Sequence, residues 1–144
     1  MKTSSSQSPT SSQILTQIYE CFCDETRLRI VNLLRQGPLC VCHLQELLDS
    51  SQVKISKHLR YMKVKGILHA ERHQNWMIYS IPQHPSPELE ANLKCLKDCV
   101  QTNSIFKKDL RDLGAMRSKI AWLAELPECA PTGECCGEPK AAKR

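Results

Sequence analysis

Nine cysteines among 144 residues are the most chemically distinctive feature of this sequence. Thiolates bind soft and borderline metal ions. In a reducing compartment, clustered thiols indicate metal or redox chemistry more often than disulfides. The number is odd, so the cysteines cannot all pair within one chain. A subset of them is therefore predicted to bind a thiophilic ion.

Cys40 and Cys42 stand two residues apart at the predicted start of a short helix, roughly Val41–Leu48. Residues two apart on an α-helix point about 200° away from each other. Both sulfurs reach one ion only if this turn unwinds or is not helical. A zinc site that adds His43 and one further ligand is chemically possible. Burial of two small side chains is the alternative.

The other cysteines form three groups. They are Cys95 with Cys99, Cys129 with Cys135 and Cys136, and Cys21 with Cys23. The first pair is spaced i, i+4, which brings both sulfurs onto one helix face, either as ligands or facing solvent. The second group stands in flexible Gly/Pro chain that can wrap an ion, so a ligand role is favoured. The third adjoins an apolar stripe and is interpreted as core.

The positive charge of the chain is concentrated in one window. The formal net charge is +5, and between Ser51 and Asn75 six bases face a single acid, Glu71. The six are Lys54, Lys57, Arg60, Lys63, Lys65 and Arg72. A local excess of this kind indicates a polyanionic partner. The polar, Ser-rich first residues lack a secretory signal and no apolar run matches a bilayer, so we expect a cytoplasmic protein.

Apolar periodicity predicts a mainly α fold with a small β-hairpin. Helices are expected from Gln13, after Asp24, over Val41–Leu48, over Gln52–Lys65, over Glu88–Gln101 and over Asn103–Leu126, with strands over Ile67–His73 and Trp76–Ile81. The expected division is a disordered segment 1–12, a winged helix-turn-helix and dimerisation domain 13–101, an additional helix 102–126 and a flexible Cys-rich tail 127–144. Two helices around a tight turn, followed by a hairpin, describe a winged helix-turn-helix.

The second helix of this unit has an apolar face and, on the opposite side, a polar and basic face. The candidate DNA-binding residues are Gln52, Lys54, Ser56, Lys57, His58 and Arg60 on the helix, with Arg72 and Gln74 at the hairpin tip. Gln and Arg hydrogen-bond base edges, whereas Lys and Ser suit phosphates. An ordinary solvated face is the alternative, and His58 is equally compatible with a hydrogen bond inside the fold.

Three segments of this unit carry a family resemblance. Residues 24–30 (DETRLRI), 39–44 (LCVCHL) and 51–59 (SQVKISKHL) resemble the ArsR/SmtB winged-helix metalloregulators, most closely the arsenical-resistance repressors. The resemblance runs from about Tyr19 to Pro82. It implies a homodimeric repressor that binds double-stranded operator DNA and leaves it when a thiophilic ion binds.

The sequence departs from the family pattern at two positions. His43 replaces the usual Asp, and Gln45 stands where the best-known members carry a third cysteine. As(III) prefers three thiolates, so the third sulfur has to come from another part of the chain. As(III) or Sb(III) is the expected inducer, with cadmium, lead and zinc as alternatives. Zinc ranks lower because Glu88–Gln101 lacks the histidines of the zinc sensors in this family.

The helices that flank the winged helix-turn-helix are expected to form a dimer interface. The apolar stripes of the first helix and of Glu88–Gln101 exceed what a winged helix needs, and in the family such helices form the dimer interface.

A redox sensor that oxidises Cys40 and Cys42, or Cys135 and Cys136, is an alternative function. An enzyme is not expected, because the sequence has no Cys-x-x-Cys motif beside a βαβ unit and no evident catalytic set.

Overall fold

Helices dominate the described part of the chain, residues 7–73 and 75–119 of this computed structural model. The helices are α1 (Ser11–Phe22), α2 (Glu25–Leu34), α3 (Val41–Leu48), α4 (Gln52–Val64), α5 (Pro87–Val100) and α6 (Ser104–Lys119). The strands are β1 (Leu39–Cys40), β2 (His69–His73) and β3 (Trp76–Ser80). This arrangement confirms the mainly α winged helix-turn-helix. None of the described helices is both long and apolar enough to cross a membrane.

A three-residue turn joins α3 to α4, as the sequence predicts. Asp49 ends α3 in the left-handed conformation, with φ of 50°. The Ser51 hydroxyl then accepts a hydrogen bond from the backbone N–H of Lys54 (3.2 Å) and caps α4. Such a cap satisfies a backbone donor that would otherwise lack a partner at the helix start. The turn therefore fixes α4 relative to α3.

Local caps also set the starts of the first two helices. α1 begins two residues before the predicted Gln13, because Thr10 and Gln13 form a reciprocal capping box. Asp24 caps α2 as expected, since its Oδ1 accepts a hydrogen bond from the backbone N–H of Arg27 (3.0 Å). Ser11 and Ser12, which the sequence analysis placed in the disordered segment 1–12, therefore belong to α1.

The sheet has one strand more than the predicted hairpin. β3 is central, with β2 on one side and the two-residue β1 on the other, all antiparallel. In this register Cys40 lies opposite Ile78, and His73 lies opposite Trp76 next to the turn of the hairpin. The segment just before Cys42 is therefore attached to the wing through β3.

The apolar stripe of α5 is buried within its own chain, although the sequence analysis assigned it to a partner subunit. Of its stripe residues, Leu89, Leu96 and Val100 are at most 6% exposed, and Leu93 is half-buried. They join a core cluster that includes Ile18 of α1 and Phe106 of α6. An amphipathic stripe shows that a face is covered but does not show by what. Here α1 and α6 contact α5 within the same chain.

α6 is held to the domain by a buried ion pair. Asp109 is fully buried, and its two carboxylate oxygens accept hydrogen bonds from Arg29 Nε (2.8 Å) and Nη2 (2.7 Å). Further along α6, Arg117 Nη1 donates a hydrogen bond to the carbonyl oxygen of Gln36 (3.2 Å). The predicted continuation of this helix to Leu126 and the predicted tail from residue 127 lie outside the described residues, as do residues 1–6 of the predicted disordered segment.

Candidate thiol site and nucleic-acid interface

The sulfurs of Cys40 and Cys42 lie together at the start of α3. Their Sγ atoms are 2.6 Å apart. Cys40 is buried and Cys42 is half-buried, so the pair faces solvent through Cys42. Two thiols at this position can bind one thiophilic ion from the outside.

The backbone at Cys40 explains how residues two apart bring their sulfurs together. Cys40 is the last residue of β1 and the N-cap of α3, with an extended conformation (φ −92°, ψ 170°). The opposed directions expected within a helix therefore do not apply to this pair. The sequence analysis required that this turn either unwinds or is not helical. The second condition is met, because Cys40, the first residue of the turn, is not helical.

His43 completes a compact group of three ligand types. Its side chain is buried, and its Nδ1 lies 3.5 Å from Cys40 Sγ. The ligand atoms of Cys40, Cys42 and His43 all lie within 4.8 Å of one another. In the chain as described, this is the single group of three or more His, Cys, Asp or Glu side chains close enough to hold a metal ion.

Cys95 and Cys99 belong to a separate part of the surface. Both are exposed on α5, and a hydrogen bond with Cys95 raises the pKa of the Cys99 thiol. The interaction agrees with the shared helix face expected from their spacing. Neither residue joins the group around Cys40. Cys129, Cys135 and Cys136 lie outside the described residues.

Cys21 and Cys23 differ from each other, so one half of the sequence interpretation is wrong. Cys21 is fully buried in the core, and burial raises the pKa of its thiol to about 11. Cys23 is exposed, and its Sγ donates to the carbonyl oxygen of Glu20 (3.1 Å). Cys23 comes immediately after the last residue of α1, where the chain leaves the core, so it does not share the burial of Cys21.

The thiol site connects to α4 through the apolar face of α3. Leu44, Leu47 and Leu48 are all buried in the main core, as predicted. Ile55 and Leu59 of α4 belong to the same cluster and are fully buried. The apolar faces of α3 and α4 are therefore parts of one close-packed core.

The candidate DNA-binding residues occupy the opposite face of α4 and the hairpin. Gln52, Lys54, Lys57, Arg60 and Arg72 are exposed, and Ser56 is half-exposed. Gln74 lies outside the described residues. Long basic side chains on one exposed helix, beside an exposed arginine on the wing, suit contacts to phosphates and to base edges.

His58 and Lys65 of this basic region contact other parts of the protein. His58 Nδ1 lies 3.4 Å from Arg27 Nη1, so the imidazole also takes part in an internal contact. Burial lowers the pKa of His58, the charges of Arg27 and Lys54 lower it further, and Asp24 opposes them. Lys65 forms an ion pair with Glu20 (2.7 Å). Part of the basic excess is therefore neutralised within the fold.

Arg27 is a structural residue that the sequence analysis missed. Its Nε donates to the carbonyl oxygen of Cys21 (2.8 Å), and its Nη2 donates to that of Glu20 (3.1 Å), at the end of α1. Its guanidinium also lies 4.6 Å from the centre of the Tyr61 ring on α4. Arg27 therefore joins α1, α2 and α4. No local spacing indicates these contacts, because the guanidinium reaches residues on two other helices.

The helix-turn-helix, its exposed basic second helix and the β-hairpin define a winged helix-turn-helix regulator. Residues 24–70 match the family model of the bacterial regulatory proteins of the arsR family. The chain is 38% identical over 92 residues to an arsenic resistance transcriptional regulator of Pseudomonas putida, a match covering 62% of this chain and 72% of that protein. The protein belongs to the ArsR family of bacterial transcriptional regulators.

Other relatives agree with this assignment. The arsenical resistance operon repressor of Escherichia coli is 44% identical over 69 residues, covering 47% of this chain and 59% of the repressor. A cadmium resistance regulatory protein of Staphylococcus aureus is 31% identical over 68 residues, covering 46% of this chain and 56% of that protein. The chain is thus a transcriptional repressor related to metal and metalloid resistance regulators, and the expectation that it is not an enzyme is confirmed.

Solved structures show the same fold. The antimony-specific transcriptional repressor AntR superposes with a TM-score of 0.51 at 26% identity, covering 65% of this chain and 87% of AntR. A homodimeric winged helix-turn-helix DNA-binding domain from Mycobacterium bovis superposes with a TM-score of 0.52 at 20% identity, covering 68% of this chain and 91% of that domain. The second likeness concerns the fold alone.

Proposed function

We propose that the protein is a homodimeric repressor that binds operator DNA and is released when As(III) or Sb(III) binds to Cys40 and Cys42. The observation that carries this proposal is that the two sulfurs are in direct contact at the start of α3. The names of the P. putida and E. coli relatives and of AntR support a trivalent metalloid as inducer. The bound ion crosslinks the two thiolates at the junction of β1 and α3.

The third thiolate that As(III) prefers is proposed to come from Cys129, Cys135 or Cys136, with Cys95 and Cys99 as the alternative source. Arg117 near the end of described α6 contacts Gln36, four residues before Cys40. Cys129 follows Lys119, the last described residue of α6, by ten residues, which span about 20 Å if the helix runs to the predicted Leu126 and the chain is extended after it. The tail thiols of the same chain are therefore within reach of Cys40.

The chain's own residues provide the route from thiols to DNA. Binding an ion changes the equilibrium only if the ion prefers the conformation with low DNA affinity. Leu44, Leu47 and Leu48 transmit a shift of α3 to α4, and the β1–β3 pairing transmits it to the wing. The exposed bases of α4 and Arg72 then lose their alignment with the grooves.

A two-fold dimer is the proposed DNA-binding form. It implies a pseudo-palindromic operator whose half-sites lie about one helical turn apart, or a multiple of that. Because the α5 stripe is largely buried within the chain, the dimer contact has to use the outer faces of α1 and α5. Tyr19 on α1 is 56% exposed and is an apolar anchor for such a contact.

An ion panel tests the proposed function. A duplex selected from random sequence is labelled, and its anisotropy is followed while arsenite, antimonite, an organoarsenical, Cd(II) or Zn(II) is added to reduced protein–DNA complex. We expect release by arsenite and antimonite at the lowest concentrations. Release by Cd(II) or Zn(II) alone would assign the protein to the divalent-ion sensors of the same fold. Release by no ion would contradict the proposal.

A redox sensor is the second candidate, because the same contact between the sulfurs favours oxidation of Cys40 and Cys42. Formation of a disulfide would release two protons and pass two electrons to an oxidant such as hydrogen peroxide. Peroxide-driven DNA release from metal-free protein, reversed by dithiothreitol, would support this function. Release by arsenite under reducing conditions would exclude it as the main signal.

A further inference from the structure

Val53 is an exposed apolar residue on the polar surface of α4, and the proposed function does not use it. It is 64% exposed and belongs to neither apolar cluster of the described residues. Valine also has a lower helix propensity than alanine, because its branched side chain is restricted at χ1. Val53 therefore contributes little to the core or to the stability of its own helix.

The position of Val53 in α4 favours contact with bases. Ser51 is the N-cap of α4, so Val53 is the second helical residue. In a helix-turn-helix, the N-terminal residues of the second helix contact base edges in the major groove. Gln52 precedes Val53, and Ser56 and Lys57 are its neighbours one turn later on the helix surface. The valine therefore lies within the group of candidate DNA-binding residues.

Val64 of the same helix provides an internal comparison. Isolated apolar residues are common on protein surfaces and need no partner. Val64 is 77% exposed, but it is the last residue of α4. Eleven residues separate the two valines, which places Val64 about 16 Å further along the helix axis. Of the two exposed valines of α4, Val53 is the one in the turn that enters the groove.

The chemistry of the major groove limits what a valine can contact there. The base edges present hydrogen-bond donors and acceptors, and one apolar group, the C5 methyl of thymine. A valine cannot pair with the donors and acceptors, whereas its contact with the methyl group removes apolar surface of both partners from water. Cytosine presents an amino donor in place of the thymine O4 and lacks the methyl group. A valine in this place therefore favours thymine.

We propose that Val53 is a specificity-determining residue that contacts the C5 methyl of one thymine in each operator half-site. The inference rests on the DNA-binding part of the proposed function and adds a base preference to it. The exposed bases Lys54, Lys57 and Arg60 around Val53 complement the phosphates, so double-stranded DNA is the partner that covers this valine. In a two-fold dimer, the two copies of Val53 contact thymines at equivalent positions of the two half-sites.

Deoxyuridine is the probe, because it pairs with adenine as thymidine does and lacks only the methyl group. A duplex is selected from random sequence with reduced, ion-free protein and is then remade with each thymine replaced in turn by deoxyuridine. Anisotropy gives the Kd of every duplex for the parent, for Val53→Ala and for the matched control Val64→Ala. Both variants shorten an exposed valine of α4, so both are expected to fold.

We expect one thymine in each half-site at which deoxyuridine weakens binding by the parent about fourfold, the effect of returning one methyl group to water. The same replacement should have almost no effect on Val53→Ala, because the methyl group has lost its partner. Val64→Ala should keep the full loss. If no thymine is sensitive, or if the sensitivity persists in Val53→Ala, the assignment is wrong.

Addition of arsenite to the same duplexes separates this inference from the proposed function. A duplex that arsenite releases, but at which no thymine is sensitive, would leave the proposed function intact and overturn the role of Val53. A thymine whose effect depends on Val53, on a duplex that no ion releases, would uphold the role of Val53 while the proposed function fails. Failure to select any duplex would overturn both.

Discussion

Cys40 and Ile78 lie opposite each other in the β1–β3 ladder and form a small buried cluster against which Cys42 packs. Ile78 also pairs with Glu71 on its other side, and Glu71 precedes Arg72 of the wing. The thiol site and the wing are therefore separated by a single central strand. In the proposed function, a change of conformation at the thiols reaches the candidate DNA-binding residues by this route as well as through α3.

Shortening Ile78 should weaken the coupling between ion and DNA. Ile78→Val removes one buried methyl group and costs about 0.5–1.5 kcal/mol of unfolding free energy. The ratio of operator Kd values with and without arsenite should fall by about twofold to thirtyfold, the range seen when coupled positions are altered. Ile67→Val, an equally buried residue outside the Cys40 cluster, is the control. Equal ratios in the two variants would contradict this route.

Removing Arg29 from the buried Arg29–Asp109 ion pair should lower the free energy of unfolding more than neutralising Asp109 does. Arg29→Met leaves the fully buried carboxylate of Asp109 without its cation and should cost about 3–5 kcal/mol in urea unfolding. Asp109→Asn keeps a hydrogen-bond acceptor and should cost less. Lys108→Met breaks the exposed pair with Asp112 and should cost less than about 1 kcal/mol. A smaller loss for Arg29→Met than for Asp109→Asn would show that burial of the carboxylate does not dominate.

Lys57 is expected to contact phosphate rather than a base. Lys57→Ala should weaken binding to all duplexes by a similar factor and reduce the slope of log K against log salt by about one. Lys97→Ala on α5, also exposed, should leave the slope unchanged. A changed sequence preference with an unchanged slope would assign Lys57 to base readout instead.

Cys21 and Cys23, near the end of α1, should differ in their rates of alkylation. Cys21 is fully buried, and with a pKa of about 11 only about one thiol in a thousand is thiolate at pH 8. Iodoacetamide should therefore modify Cys21 at least about a hundredfold more slowly than exposed Cys23, measured by peptide mass spectrometry on native reduced protein. Similar rates at the two positions would mean that the end of α1 opens readily.

Most of the DNA-binding unit could be predicted from local signals. The turn between α3 and α4 has its cap at Ser51, and the apolar residues Ile55, Leu59 and Met62 recur at helical spacing and are buried. These features depend on residues a few positions apart. The same holds for the short helix Val41–Leu48, whose observed bounds match the predicted ones.

Features that depend on distant residues could not be predicted in this way. β1 has two residues, too few to show an alternating pattern. Arg29 and Asp109 are eighty positions apart, and no spacing rule connects them. The sequence also placed Cys40 and Cys42 at a helix start without deciding whether Cys40 is helical. The β1–β3 pairing decides this, because it extends the backbone up to Cys40.

The most direct test of the account is arsenite-driven release in cysteine variants. Operator anisotropy is measured for reduced Cys40→Ser, Cys42→Ser and the double variant, with Cys23→Ser as the exposed-thiol control. We predict that all of them bind DNA without arsenite, and that only Cys23→Ser is released when arsenite is added. If the double variant is released normally while Cys135→Ser/Cys136→Ser is not, the sensing site lies in the tail and the central claim is wrong.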